Sequence, residues 1–334
     1  MQSETSLKLT GTSTLLQYDG GDEEWDKFLS ETGVSTHVQA SAWARAFSAH
    51  GWITCRWTIE DKDKQTIYLQ GFLKRMPFGC GIMWFPDWLS GDYSYSEGLA
   101  EALRKLLGTR HLYLRFRSLH EYSDQQYVQL CLQGWHRPTN LFNEGLTMVL
   151  DLSKSAQEME SRMTSNWRRN LKRSSRFNYS VSRIHDPAVV IRLYEELRRM
   201  KELDEIMSET EIRGLMQAYG EGLVVLGAVT PDGKVLAVRG AICYQQYGWD
   251  IFAATGPDAR KNYISYALFV ALINECKNRG CVHYNLNGID PVNNVGVFNF
   301  KRGSGATIKR QLGEFEWSSS RLLAKLVNFR VQSR

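Results

Sequence analysis

The chain has 334 residues, 43% of them hydrophobic and 23% charged, with a net charge of +5, a balance typical of globular proteins with one large or two ordinary domains. It has no apolar run near the roughly 20 residues that cross a membrane and no secretory signal pattern at its start, so we expect a cytoplasmic protein. The six cysteines and seven histidines are scattered, without Cys-x-x-Cys or His-x-x-x-His pairs, and we therefore predict no metal site.

Apolar spacing predicts an alternation of helices and strands along the chain. The first half has predicted helices at 39–49 and 95–107, and predicted strands at 52–60, 66–74, 112–117 and 147–152. The second half has predicted helices at 155–174, 186–203, 208–219 and 264–278, and predicted strands at 223–229, 235–245, 247–254 and 282–286. Residues 230–234, Thr-Pro-Asp-Gly-Lys, predict a hairpin turn.

The two halves share the same rhythm of helix, hairpin strands, helix and strand. This order predicts an α+β fold with a largely antiparallel sheet in each half. We place the domains at residues 1–148 and 149–314, and expect residues 315–334 to pack back on the first domain.

The segment that follows the last predicted strand, residues 287–306, is the most informative in the chain. Its glycines, proline and asparagines predict a loop that ends at Phe300 and Lys301. A lysine fixed there can oppose a developing negative charge, so Lys301 is the candidate catalytic residue. The alternative is a surface lysine in a turn. Phe300 is expected to pack beneath it and fix the loop.

These elements and this motif resemble the Fem family of peptidyl aminoacyltransferases, which extend cell-wall precursor peptides with amino acids from aminoacyl-tRNA. The resemblance rests on Gly288-Ile-Asp290-Pro291, Gly296, Phe300-Lys301, Gly303 and Gly305, with weaker matches at 39–43, 51–52, 73–79, 150–152 and 167–171. It implies two tandem GNAT (acyl-CoA N-acyltransferase)-like domains, each a mostly antiparallel mixed sheet flanked by helices. It also implies a short form without a coiled-coil arm and with no tightly bound cofactor, and we expect a monomer.

Two departures from the family pattern concern the acceptor. The family's cell-wall ligases carry a basic residue a turn after the first-helix tryptophan, whereas Trp43 is followed a turn later by Phe47. The family's Arg-Gly-Pro is replaced by residues 87–89, Asp-Trp-Leu. The acceptor therefore stays open between a peptidoglycan precursor and an amino sugar of a surface polysaccharide.

The donor is either an aminoacyl-tRNA or an acyl-coenzyme A. A coenzyme A pyrophosphate needs a glycine-rich turn at a helix N-terminus, but Tyr263 and Ser265 stand where those glycines are expected, which argues against it. An aminoacyl-tRNA needs a basic surface, and the candidates are Arg168, Arg169, Lys172, Arg173 and Arg302. Such a basic run is equally typical of a solvated helix face. Trp167 either stacks on a base or anchors its helix in the core.

The acceptor amine requires a base, for which the resemblance indicates Asp92, with Tyr93 and Tyr95 as substrate contacts beside it. A helix-entry aspartate is the alternative for Asp92. Asp290 either holds a turn or reaches the cleft, and neighbouring Asn294 is a further binding candidate. The remaining carboxylates with a possible role are Asp250 and Glu314.

The sequence thus predicts a Fem-like enzyme that transfers an aminoacyl group from aminoacyl-tRNA to an amine on a cell-envelope precursor. One alternative is an acyl-coenzyme A-dependent N-acyltransferase acting on an amino sugar. Another is a non-catalytic RNA-binding protein on the same fold. Residues 320–334 form a basic amphipathic segment that either docks on its own protein or makes peripheral contact with an anionic membrane.

Overall fold

The structure is a computed structural model that describes residues 6–9, 13–33, 36–48, 51–60, 66–88, 93–142, 144–202 and 207–332. Asp92, and the predicted helix ends at residues 49 and 203, lie outside these ranges. The chain forms two compact units. Unit 1 comprises Met1–Val34, Val38–Gly145 and Arg310–Arg334, and unit 2 comprises Ser35–His37 and Leu146–Lys309. The chain thus changes unit a few residues earlier than the predicted boundaries at 148 and 314.

Unit 1 is a mixed sheet with the strand order β1-β2-β3-β4-β5-β6-β13, in which only the β5–β6 pair is parallel. Its core is rich in stacked aromatic rings, among them Trp88, Phe116 and Phe315. The strands are β1 Ser6–Lys8, β2 Thr14–Gln17, β3 Ile53–Glu60, β4 Thr66–Met76, β5 Cys80–Phe85, β6 His111–Glu121 and β13 Thr307–Ser318. The helices are α1 Asp22–Glu31, α2 Ser41–Ser48, α3 Leu99–Leu106, α4 Asp124–Leu132 and α12 Arg321–Gln332.

Unit 2 repeats this plan with the strand order β7-β12-β11-β10-β9-β8, and only β11 and β12 pair in parallel. Its core includes Trp167, Phe269 and Leu286. The strands are β7 Leu146–Asp151, β8 Ser180–Arg183, β9 Leu223–Val229, β10 Val235–Tyr244, β11 Tyr247–Thr255 and β12 His283–Gly288. The helices are α5 Ala156–Arg162, α6 Ser165–Ser174, α7 Pro187–Lys201, α8 Glu209–Tyr219, α9 Pro257–Lys261, α10 Ile264–Asn278 and α11 Val295–Gly303.

The predicted α+β class with a largely antiparallel sheet in each half is confirmed. Local sequence rules account for much of it. The predicted capping box holds the start of α8, where Ser208 and Glu211 exchange hydrogen bonds. The predicted turn between β9 and β10 also forms, since Thr230 bonds to Lys234 across it and Gly233 has a φ of +84°.

Two predictions about local structure are wrong. The single helix predicted over 155–174 is two helices. The second, α6, begins at a new cap, because the Thr164 side chain accepts a hydrogen bond from Trp167 N–H. The Thr164 N–H donates to Gly303 O at 3.0 Å. The predicted loop ending at Lys301 extends only to Asn294, and helix α11 follows, which places Lys301 on a helix. Here tertiary packing overrides the low helix propensity of Gly296 and Gly303.

Gly303 is required at its position by packing. It has an ordinary helical backbone, but an added Cβ would lie 2.8 Å from Cδ1 of Trp167 and 3.2 Å from Oγ1 of Thr164. An added Cβ at Gly296, earlier in the same helix, would have nothing within 4 Å. The glycine therefore sets how closely α11 approaches α6.

The variant Gly303→Ala should lower the free energy of unfolding by about 1–3 kcal/mol, because the added methyl group would overlap the buried indole. The matched variant Gly296→Ala should be neutral or raise it by up to about 1 kcal/mol through helix propensity. Urea denaturation followed by circular dichroism measures both values. Equal effects of the two substitutions would contradict the close helix packing.

Candidate functional site

The site lies in unit 2, where the parallel strands β11 and β12 part. Their pairing runs from Tyr247–His283 to Trp249–Asn285. After Asn285, β12 shifts its register against β7, and Asn287 adopts a φ of +59°. The Asn287 side-chain amide then donates to the backbone oxygen of Asp250. A side chain thus bridges the two strands at the point where they separate.

A buried ion pair lies beside this bridge. Arg239 on β10 and Asp250 on β11 are in contact, with Nη2 to Oδ2 at 2.7 Å, and their side chains are 7% and 9% exposed. The Tyr284 hydroxyl on β12 donates to the other carboxylate oxygen, Oδ1, at 2.8 Å. Burial opposes the charge on Arg239, but Asp250 outweighs it and raises the pKa of the guanidinium. Each oxygen of the carboxylate therefore has a hydrogen-bond partner.

Lys301 adds a third charge to this cluster. Lys301 is 8% exposed, and its Nζ donates to the backbone oxygen of Gly288 at 2.7 Å. Burial lowers the pKa of Lys301 to about 8, with Arg239 lowering it further and Asp250 opposing the shift. The lysine is thus a cation at neutral pH that gives up its proton easily.

Aromatic rings fix the helix that carries Lys301. The Phe300 ring packs 5.0 Å from Tyr266 and 5.6 Å from Phe269, centroid to centroid, and the Trp167 indole N–H donates to Phe300 O at 3.1 Å. The Arg239 guanidinium lies 4.8 Å from the Phe269 ring and 5.2 Å from the Phe300 ring. The buried Nε of Arg239 has no hydrogen-bond partner among the described residues, so this atom remains available as a donor.

Among the predicted binding residues near this motif, several have structural partners. Asp290 accepts hydrogen bonds from the backbone N–H of Asn293 and of Val292, and these bonds hold its pKa below the ordinary range. Asn294 is exposed at the start of α11. Trp167 is 2% exposed, which matches an anchor for α6 and leaves little ring surface for stacking on a base.

The predicted basic residues divide into two groups. Arg168 folds back and donates to the carbonyls of Glu160, Ser161 and Met163, so it serves the end of α5. The others carry their charge on the exposed surface of α6 and α11. They are Arg169, Lys172, Arg173 and Arg302.

The predicted residues of the first half belong to unit 1, whereas Lys301 belongs to unit 2. Tyr93 is fully buried and donates to Ser118 Oγ at 2.6 Å, and Tyr95 packs against the unit 1 core. Glu314, a further carboxylate candidate, is buried and accepts from Arg115 Nε at 2.8 Å. The partners of Tyr93 and Glu314 therefore indicate structural roles.

Unit 1 also contains a cavity of about 280 Å³. Asp22 on its wall accepts hydrogen bonds from Arg45 at 2.6 Å and from Arg56 at 2.8 Å. Both guanidiniums thus bond to the one carboxylate, and the three side chains together carry a net charge of +1. Among the described residues, no cluster of histidine, cysteine and acidic side chains is arranged to hold a metal ion.

Sequence reasoning missed Arg239, Tyr284 and Asn287, and it named Asp250 only as one of two further candidate carboxylates. A usable indication existed, since Arg239 and Asp250 are charged residues inside apolar strands on either side of a tight turn. Charged side chains in such strands are almost always paired when buried. In the register of this hairpin, Arg239 lies opposite Ala253 and Asp250 lies opposite Ala241. The predicted ends of the two strands did not define this register.

The start of α10 bears on the donor. Tyr263, at the position before this helix, adopts a φ of +59°, a backbone conformation that favours glycine. The Arg173 guanidinium lies 5.5 Å from its ring centroid, and Arg173 Nη1 lies 3.4 Å from the hydroxyl. A tyrosine in contact with Arg173 thus stands at the N-cap of this helix.

The FemAB family model matches residues 227–330. The crystal structure of FemX is similar with a TM-score of 0.76 at 13% identity, covering 93% of this chain and 99% of that one. A tandem GNAT protein from the clavulanic acid biosynthesis pathway is similar with a TM-score of 0.56 at 12% identity, covering 92% of this chain and 99% of that one. L-PGS from Bacillus licheniformis is similar with a TM-score of 0.52 at 15% identity, covering 98% of this chain and 100% of that one. No curated protein sequence matches the chain.

These similarities confirm the predicted tandem GNAT-like fold and the resemblance to the Fem family. The family match includes Arg239, Asp250, Tyr284 and Lys301. The buried charge cluster is therefore built within the FemAB-like part of the chain.

Lys301 should titrate near pH 8 when its side-chain ¹³Cε resonance is followed by NMR, and Lys301→Arg should identify that resonance by removing it. In Asp250→Asn the midpoint should fall further, because Asp250 raises the pKa of Lys301. An unchanged circular dichroism spectrum would show that the variant is folded. A midpoint at or above that of the wild type would contradict the electrostatic coupling.

Proposed function

We propose that this chain, which combines a FemAB family region over residues 227–330 with two tandem GNAT-like domains, is an aminoacyltransferase that uses aminoacyl-tRNA. The comparisons support an acyl or aminoacyl transferase of the Fem type in general. The proposed acceptor is an amine on a cell-envelope precursor. The observation that carries the chemistry is the buried Lys301 ammonium beside the Arg239–Asp250 pair.

The proposed reaction requires a positive charge beside the carbonyl under attack, and Lys301 is proposed to supply it. The acceptor amine attacks the ester carbonyl, a C–N bond forms, and the carbonyl oxygen becomes an oxyanion. The C–O bond to the ribose then breaks, and the leaving oxygen takes a proton. A cation held in a poorly solvated site stabilises such an oxyanion strongly, because little water screens it. With a pKa of about 8, Lys301 is also able to donate the proton to the leaving oxygen.

The base for the acceptor amine is not Asp250 in this proposal. Its carboxylate already accepts from Arg239 and Tyr284. An amine that enters uncharged needs a proton acceptor only as the new amide forms. Asp92 keeps its place as the proposed protein base.

Aminoacyl-tRNA is the proposed donor for two reasons. Tyr263 stands at the N-cap of α10, where a GNAT pyrophosphate turn needs small residues. The exposed charges of Arg169, Lys172 and Arg302 supply the phosphate-binding surface that RNA requires.

The proposed acceptor differs from those that the family's cell-wall ligases hold with a basic residue on the first helix. Phe47 stands at that position and packs 4.5 Å from Phe72 and 5.7 Å from Trp52, centroid to centroid. An apolar cluster cannot neutralise a negatively charged group of an acceptor. We therefore propose an acceptor whose recognition does not depend on a cation at this position.

Lys301→Ala should lower kcat by about 10²–10³-fold and leave KM for the donor nearly unchanged, as expected for an oxyanion contact. The wild-type kcat should fall above about pH 8 as Lys301 loses its proton. In Lys301→Arg this fall should move to higher pH, because a guanidinium keeps its charge. The assay incubates the protein with charged tRNA, acyl-coenzyme A and candidate amines, and identifies products by mass spectrometry.

The same assay separates the alternatives. Product formation with acyl-coenzyme A alone would replace the tRNA proposal with an N-acyltransferase. RNA binding without any product, equal in Lys301→Ala and the wild type, would favour an RNA-binding protein. An equal loss of binding and turnover in Lys301→Ala would contradict the catalytic role.

Combining Arg169→Gln with Lys172→Gln should weaken tRNA binding and reduce the slope of log affinity against log salt by about 1 to 2, because each exposed cation displaces a counterion. The control combines Arg198→Gln with Lys201→Gln at the exposed end of α7, which removes the same charge from another helix. Filter binding across a salt series measures both. Equal changes in slope would indicate non-specific attraction.

A further inference from the structure

Helix α12 has two unlike faces. Its inner face lies against unit 1, where Asn328 is 8% exposed, donates to Glu316 Oε2 at 2.9 Å, and accepts at its backbone oxygen from Asn140 at 3.0 Å. On the outer face Leu322, Leu326 and Phe329 are 68%, 59% and 71% exposed. These three are spaced i, i+4 and i+7, which places them in one stripe along the helix.

Positive charge flanks this apolar stripe on both sides. At 100° per residue, Arg321 and Lys325 lie along one edge of the stripe and Arg330 lies along the other. All three are exposed, and residues 319–332 contain no acidic side chain. The outer face is therefore an apolar strip between two basic margins.

We propose that α12 lies flat on an anionic lipid bilayer, with Leu322, Leu326 and Phe329 among the acyl chains and the basic margins at the headgroup phosphates. Interfacial helices combine an exposed apolar strip with lysine and arginine at its edges in this way. Buried apolar area and attraction to anionic lipid both contribute to binding. No helix in the described part of the chain has the length and hydropathy that crossing a bilayer requires, so this contact is peripheral.

A second copy of the chain fits this face less well than a membrane does. Pairing two such helices would bring the basic margins of both copies together, and like charges repel. Three side chains also cover far less than the roughly 800 Å² per partner of a standard stable interface. Anionic lipid carries the charge opposite to that of the basic margins. Binding to it does not require the interface area that a stable dimer requires.

This proposal concerns unit 1 and does not depend on the reaction proposed for unit 2. Its occupant is a surface of anionic phospholipid. The probe is therefore a vesicle of phosphatidylcholine with or without phosphatidylglycerol, and the full-length protein is used.

In vesicle co-sedimentation the protein should bind phosphatidylcholine–phosphatidylglycerol vesicles, bind pure phosphatidylcholine vesicles weakly, and lose affinity at high salt. Combining Leu322→Gln, Leu326→Gln and Phe329→Gln should lower the partition coefficient at least about tenfold. Combining Arg321→Gln with Lys325→Gln should lower it for anionic vesicles only.

The matched control is α4, also in unit 1, where Val128 and Leu132 are 52% and 83% exposed at the same i, i+4 spacing but the helix has no lysine or arginine. Val128→Gln with Leu132→Gln should leave binding unchanged. Circular dichroism and thermal unfolding check that each variant is folded.

Three outcomes would overturn the proposal. The first is no binding to anionic vesicles by the folded wild type. The second is equal loss of binding in the α4 control. The third is a dimer in light scattering without lipid that the stripe variant dissociates, which would assign this face to a second copy.

Discussion

Asp250 is the residue on which the site depends. One carboxylate oxygen accepts from Arg239, the other accepts from Tyr284, and its backbone oxygen accepts from Asn287. Without this carboxylate, Arg239 and Lys301 would be two buried cations without a compensating anion, which is a costly arrangement. Asp250 thus partly compensates the Lys301 ammonium. That ammonium stays buried inside the unit but loses its proton easily.

The two units show how a similar sheet is adapted. In unit 1 the parallel pair β5–β6 stays matched over six residue pairs, from Cys80–His111 to Phe85–Phe116. In unit 2 the corresponding pair β11–β12 is matched over three. Polar backbone groups freed where strands part need new partners, and Asn287 supplies one of them. The candidate site therefore lies where the two units differ in strand pairing.

The fold class and most central strands follow from sequence because alternating apolar residues define each buried face. The missed elements lack such a pattern or depend on distant contacts. Helix α11 contains two glycines, and its stability comes from Trp167 and Phe300 packing across more than a hundred residues of chain. Lys301 was predicted from its motif, whereas its partners depend on strand register, which element boundaries alone do not give.

Unit 1 includes residues that follow unit 2 in sequence. Its strand β6 pairs with residues 311–318 of β13, which follow the whole of unit 2 in sequence. On the ribosome, the N-terminal sheet must therefore wait with an open edge on β6 until unit 2 has been synthesised. An unpaired edge invites association with other chains, so nascent copies of this protein are expected to depend on chaperones more than those of a protein whose first domain is continuous.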